Sequence, residues 1–135
     1  EIEDIMFKDE DGGYISSRAD KSIETTIRYN VGYWRKVWPV HTWIVDNCGG
    51  GIDECQQIYM EPEDIKKLGQ LCKNTAFKID TETLPADAYH REAWGDSDYE
   101  EWYRQEMIYT WKLCERIVKI LKKYPEYGVI YQASW

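Results

Sequence analysis

A run of aromatic and basic residues between positions 33 and 43 has the side chains that a nucleotide-like ligand needs. The run reads Tyr33-Trp34-Arg35-Lys36-Val37-Trp38-Pro39-Val40-His41-Thr42-Trp43. Aromatic faces stack on planar rings, and guanidinium and ammonium groups form charge-assisted hydrogen bonds with phosphate. We therefore predict an anion site here, whose ligand-binding candidates are Tyr33, Trp34, Arg35, Lys36, Trp38 and His41.

The same run also has a structural interpretation. Trp34, Trp38 and His41 recur at steps of three and four residues, which is the spacing of one helical face packed into a core. Arg35 and Lys36 would then form the solvated edge of that helix and pair with some of the surplus acids. From the sequence, both the ligand site and the core face stay open.

Further candidates lie outside this run. His90 and Arg91 occur in a stretch without clear periodicity and could contribute to a ligand pocket. Asp53 and Glu54 follow three glycines and could act as general acid or base groups. The acids between positions 96 and 101 are explained by the favourable effect of negative charge at a helix N-terminus.

Motifs of known catalytic chemistry are absent from the sequence. There is no serine nucleophile elbow, no phosphate-binding loop ending in Lys-Ser or Lys-Thr, and no histidine pair at zinc-binding spacing. The four cysteines, at positions 48, 55, 72 and 114, lack the close pairs of structural zinc sites. We expect four reduced thiols in a cytosolic protein that uses no metal and no cofactor.

Length, composition and charge exclude several classes of protein. The 135 residues, 43% of them hydrophobic, suffice for one packed domain spanning 1–135. No apolar stretch is long enough to cross a membrane, and the acidic start of the chain is unlike a secretion signal. A net charge of −8 argues against binding to a nucleic-acid backbone. The chain does not begin with Met, so we expect an N-terminal piece to precede it.

The first half of the sequence predicts a hairpin and then helical structure. Apolar residues on either side of Asp11-Gly12-Gly13 predict a short hairpin within 1–22. The stretch from Ile23 to Asn47 predicts two helices or one kinked helix, with the second part starting near Pro39. The glycines at 49–51 end that helix.

The second half predicts helices and two strands, so the fold class is α+β with three or four helices packed on a small β-sheet. Residues 55–60 predict a strand, and a helix follows from Pro62. Residues 74–96 are expected to be irregular. A capping box at Ser97 and Glu100 opens one long helix that runs to Lys123. Residues 129–135 predict a terminal strand.

Seven elements follow one another along the sequence: Tyr33-Trp34-Arg35-Lys36, His41-x-Trp43-Ile44-Val45, Gly51-x-Asp53-x-Cys55, Leu71-Cys72-Lys73, Leu84-Pro85, Asp98-Tyr99-x-Glu101-Trp102-Tyr103 and Tyr131-x-x-Ser134-Trp135. In this order they resemble a widespread family of small, uncharacterised bacteriophage and prophage proteins. The resemblance implies a phage or prophage origin and action in the cytoplasm of a bacterial host, and it implies no activity or site residues. The chain departs from the family pattern at Pro39 and between 86 and 95.

Three functions are compatible with these observations. The first is a non-enzymatic binding protein, a homo-oligomer that sequesters a nucleotide-like signal of host immunity. The second is an inhibitor of a host defence protein, which it would bind through an acidic surface rich in Trp and Tyr. The third is a small enzyme that acts on nucleotides through His41 and Asp53. We rank them in this order because no catalytic motif accompanies the aromatic and basic run.

Overall fold

The computed structural model describes residues 6–8, 14–16, 28–79 and 82–134. The chain divides into two compact units, Glu1–Asn30 and Val31–Trp135. The helices and strands are β1 (Met6–Lys8), β2 (Tyr14–Ser16), α1 (Trp38–Cys48), β3 (Ile58–Met60), α2 (Pro62–Phe77), α3 (Ala88–Trp94), α4 (Asp96–Lys123) and β4 (Val129–Tyr131).

The first unit contains the predicted short hairpin. Strands β1 and β2 pair antiparallel, with Met6 opposite Ser16 and Lys8 opposite Tyr14. The predicted turn at positions 11–13 lies outside the described residues.

The second unit is built on the long helix α4, and it confirms the predicted α+β class. Helix α2 packs antiparallel along α4, since its Gly69 meets Cys114 while the carbonyl of Ala76, nearer its end, accepts from Arg104. Helix α3 packs on the start of α4. Strands β3 and β4 pair antiparallel, with Tyr59 opposite Ile130, and α1 packs against β3.

The core lies between these helices, and the predicted apolar faces supply it. In α2, the predicted stripe of Ile65, Leu68, Leu71 and Cys72 is buried. The face predicted for α4 is also buried, apart from the half-buried Val118. The buried members of that face are Tyr103, Met107, Thr110, Cys114, Ile117 and Leu121. Among the described residues, no helix combines the length and apolar character that crossing a membrane requires.

The predicted helix over 23–47 is wrong across the described residues 28–37, which are not helical and bend at positions 35 and 36. Near this bend the chain bonds to α4: Arg116 donates to the carbonyl oxygen of Val31 at 2.6 Å, and the Tyr33 amide donates to the Tyr109 hydroxyl at 3.0 Å. Gly32 lies so close to α4 that an added Cβ would stand 2.4 Å from Leu113. The helix begins at Trp38 with Pro39 in its first turn, as predicted.

Two predictions for 74–100 are also wrong. The stretch 74–96 is not irregular throughout, because α2 continues to Phe77 and α3 forms over 88–94, capped by the Asp87 side chain. The predicted capping box at Ser97 and Glu100 does not form, since α4 already begins at Asp96, after Gly95 at a φ of 83°. The capping box occurs instead at the start of α2, between Glu61 and Asp64.

Replacing Gly69 with Ala tests the close approach of α2 and α4. An added Cβ would lie 2.8 Å from the Cβ of Cys114, so the helices must separate. Overpacking of this kind costs about 1–3 kcal/mol, which exceeds the roughly 1 kcal/mol that Ala contributes to helix propensity. We expect urea denaturation to show a lower free energy of unfolding for Gly69→Ala. Gly128→Ala, whose added Cβ meets nothing within 4 Å, is the control. A Gly69→Ala protein as stable as this control would contradict the packing.

All four cysteines are free thiols, and their environments differ. Burial raises the pKa of Cys114 to about 12 and that of Cys72 further. Burial, with nearby Asp64, raises the pKa of Cys48 to about 11. Because the thiolate is the reactive form, we expect iodoacetamide to label the half-buried Cys55 first in the native protein. Cys72 and Cys114 should react only after unfolding, as read by peptide mass spectrometry. Rapid native labelling of Cys72 would contradict this core.

Candidate functional site

In the predicted 33–43 site, the charged side chains are exposed to solvent and the two candidate tryptophans are half-buried. Tyr33, Arg35 and Lys36 are exposed. Trp34 is half-buried, and its indole nitrogen donates to the Thr110 hydroxyl at 2.8 Å. Trp38 is also half-buried, with its ring edge-on to His41. The two tryptophans therefore pack partly within the protein, but they do not share the predicted helical face, because Trp34 precedes α1.

His41 is buried and bonded through both ring nitrogens. Its Nε2 lies 2.9 Å from Asp53 Oδ1, and its Nδ1 lies 2.7 Å from the Tyr131 hydroxyl. Burial, with Asp53 and Cys55 nearby, raises the pKa of Tyr131 to about 12, so the phenol stays protonated at neutral pH. In the neutral imidazole, Nε2–H therefore donates to Asp53 while Nδ1 accepts from Tyr131.

This arrangement joins α1, β4 and the loop before β3. The sequence-based pairing of His41 with Asp53 is present, but a general base needs a ring nitrogen that faces substrate. Here one nitrogen is directed to a carboxylate and the other to a phenol. We conclude that His41 positions these three segments, and the geometry favours a structural role over catalysis.

The second predicted pair, His90 and Arg91, lies near the start of α4. His90 is buried, with Nδ1 2.7 Å from Asp87 Oδ2 and its ring 4.4 Å from that of Trp102. Arg91 is exposed and lies over the Tyr99 ring. Trp34 contacts α4 at Thr110, eight residues beyond Trp102, which is about 12 Å along the helix. The structure therefore does not bring the two predicted groups into one pocket.

A cationic groove lies elsewhere, between α2 and α4. It has a volume of about 400 Å³ and contains four lysines, one tryptophan and one glutamate. We call it the lysine groove, after Lys66 and Lys73 on α2 and Lys119 and Lys122 on α4. Glu115 is its one acidic side chain, so the groove carries a charge of +3 in a chain whose net charge is −8. Gly69 and Cys114, where the helices approach closely, also line it.

Trp111 forms the aromatic part of the lysine groove. The ammonium of Lys73 lies 5.1 Å from its ring centroid and that of Lys112 lies 4.0 Å away. Phe77 packs edge-on against the same ring, at 5.6 Å between centroids. The combination of aromatic face and ammonium groups that the sequence predicted for 33–43 therefore occurs here, on residues that the sequence did not single out.

The other interactions of these lysines are weak. Lys66 pairs with Glu63 at 3.2 Å, and both side chains are exposed. Exposed ion pairs contribute about 0–1 kcal/mol, so a bound anion can readily replace this one. The groove volume is within the range of small-ligand sites, which is roughly 300–1,000 Å³. Its side chains can neutralise a compact anion and offer a stacking surface beside it.

The described residues contain no group of three or more His, Cys, Asp and Glu side chains placed to hold a metal ion. No match to this chain was found among protein-family models, curated proteins or solved structures. The function of this chain is therefore inferred from the chemistry of its own site.

Proposed function

We propose that this chain is a non-enzymatic binding protein that captures a small, nucleotide-like anion in the lysine groove. The observation that supports the proposal is that Lys66, Lys73, Lys119 and Lys122 line one groove together with Trp111 in an otherwise acidic protein. Like-charged side chains repel one another across a groove, and a bound anion relieves that repulsion. The acidic remainder of the surface opposes long polyanions such as nucleic acid. A small anion is the ligand that satisfies both conditions.

The expected affinity follows from the number of contacts. Three charge-assisted hydrogen bonds contribute about 1.5–3 kcal/mol each, and one stacked ring contributes about 1–3 kcal/mol. The sum is roughly 6–12 kcal/mol before ordering costs, and a micromolar dissociation constant needs about 8 kcal/mol. One groove therefore supports micromolar binding. Nanomolar capture needs a second surface, and a homo-oligomer would supply it.

The biological setting of the proposal comes from the resemblance to phage and prophage proteins. A binding protein of that origin would act in the host cytoplasm, where it could sequester a nucleotide signal of host immunity. The chemistry of the groove does not depend on this setting. The binding experiment therefore tests the proposal whatever the biological origin of the chain.

Calorimetric titration of the full chain with inorganic tripolyphosphate tests the proposal. We expect one anion per chain, bound more weakly as salt is added. In Lys119→Gln/Lys122→Gln, which removes two of the charge-assisted hydrogen bonds, the affinity should fall about 100-fold or more. The control is Arg35→Gln/Lys36→Gln, which makes the same charge change in the segment predicted from the sequence and should leave binding unchanged. The reverse pattern would place the site in that segment, and no binding by the wild-type chain would refute the proposal.

A second candidate function is favoured by the surface around α3. Tyr89 is 64% exposed and Trp94 is 46% exposed, and the neighbouring residues Glu92 and Asp96 are exposed acids. Large aromatics are frequent anchors of protein interfaces, and the acids suit a basic partner. This is the surface that an inhibitor of a host protein would use. The test is a pull-down in which a basic protein is retained by the wild-type chain and lost with Trp94→Ser; retention by both would exclude this surface.

A further inference from the structure

We infer that the lysine groove takes a nucleoside polyphosphate in one orientation, with its base on Trp111 and its phosphates at Lys119 and Lys122. This inference rests on the proposed function and deepens it. The groove is not uniform along its length, because its aromatic, acidic and basic side chains follow one another along α4.

The order of these side chains matches the order of chemical groups in a nucleotide. Trp111, Glu115 and Lys119 are spaced by four residues, so they lie on one face of the helix. The rise from Trp111 to Lys119 is about 12 Å. A planar ring, a polar carboxylate and a cluster of ammonium groups thus follow one another in a line. Base, ribose and phosphates follow one another in the same way.

Both helices contribute lysines to the basic end of the groove. Because α2 and α4 are antiparallel, Lys66 lies at the level of Lys119 and Lys122, while Lys73 lies at the level of Trp111. Three ammonium groups therefore surround one end of the groove, and they can neutralise two or three phosphate charges.

Two ammonium groups lie over the ring at the aromatic end of the groove. Lys73 and Lys112 lie over the Trp111 ring, and an exposed contact of this kind is weak. A base can therefore displace one of these ammonium groups from the ring.

Glu115 determines which ligand can lie along the whole groove and in which orientation. Its carboxylate lies between the two ends, so it repels a polyanion that runs along the whole groove. It also accepts hydrogen bonds, and ribose hydroxyls can donate them at this position. A nucleoside polyphosphate satisfies Glu115, whereas an inorganic polyphosphate placed along the groove does not.

Calorimetric titrations of the full chain with ATP, adenosine and inorganic tripolyphosphate test the inference. We expect ATP to bind about 10-fold or more tightly than tripolyphosphate, because stacking adds to the phosphate contacts, and adenosine to bind least. Trp111→Leu should remove most of the ATP preference and leave tripolyphosphate binding unchanged. Trp111→Phe keeps a stacking ring and should keep the preference. Glu115→Gln should strengthen tripolyphosphate binding more than ATP binding.

The outcomes separate the inference from the proposed function. Equal affinities for ATP and tripolyphosphate in the wild-type chain would overturn the orientation and leave the groove as an anion site. Binding of neither would overturn the proposed function as well. If Trp111→Leu loses tripolyphosphate through damage to the fold, Trp111→Phe decides: an ATP preference kept there supports the inference, and a preference lost there overturns it.

Discussion

Replacing Asp87 with Ala should lower the free energy of unfolding by about 3 kcal/mol. The Asp87 side chain is 1% exposed. Its Oδ1 accepts from the His90 amide at 3.1 Å and its Oδ2 lies 2.7 Å from His90 Nδ1. Removal of the carboxylate takes away the N-cap of α3 and leaves a buried imidazole without its partner, between Trp94 and Trp102. Urea denaturation measures the loss.

Two further variants separate the causes of that loss. Glu92→Ala changes an exposed acid in the same helix and should shift stability by no more than about 0.5 kcal/mol. Asp87→Asn keeps an oxygen for the His90 amide and should retain part of the stability. An Asp87→Ala protein as stable as Glu92→Ala would show that the pair does not hold α3 on α4.

Replacing His41 with Ala should cost about 2–3 kcal/mol of stability. The substitution leaves the half-buried Tyr131 hydroxyl without the nitrogen 2.7 Å away and opens a cavity beside Trp38. Asp53, whose side chain is 46% exposed, can turn to water and adds little. The control is Thr42→Ala, which changes an exposed residue in the same helix.

A double-mutant cycle with Tyr131→Phe tests whether the contact itself carries the effect. If His41 positions β4, the sum of the stability losses in the two single variants should exceed the loss in the double variant by about 1 kcal/mol. Strictly additive losses would show that the two side chains are not coupled. A fully stable His41→Ala would instead contradict the structural role and return His41 to the catalytic hypothesis.

The parts of the fold that the sequence predicts correctly are those whose apolar residues repeat at regular short steps along the chain. Helix α4 repeats an apolar face at three- and four-residue steps, and that face is buried. The segment 28–37 has the same spacing, yet its hydrogen bonds run to Tyr109 and Arg116, far along the chain. Tertiary contacts of this kind override a helical pattern. Helix α3 has only seven residues, too few for a periodic signal.

The lysine groove could not be predicted from the sequence, because its residues belong to two helices that are far apart along the chain. Lys66 and Lys73 on α2 resemble an ordinary solvated helical face, and so do Lys119 and Lys122 on α4. Only the antiparallel packing of the two helices brings these pairs to one groove. The sequence could show that aromatic and basic residues are abundant, but not which of them meet.

An amide NMR titration of the isotope-labelled full chain with inorganic tripolyphosphate locates the anion site directly. If the anion binds in the lysine groove, the largest chemical-shift changes should occur at residues 66–73 of α2 and 111–122 of α4, and they should saturate at one anion per chain. Changes confined to residues 33–41 or 90–91, or no saturable change, would contradict binding in the lysine groove.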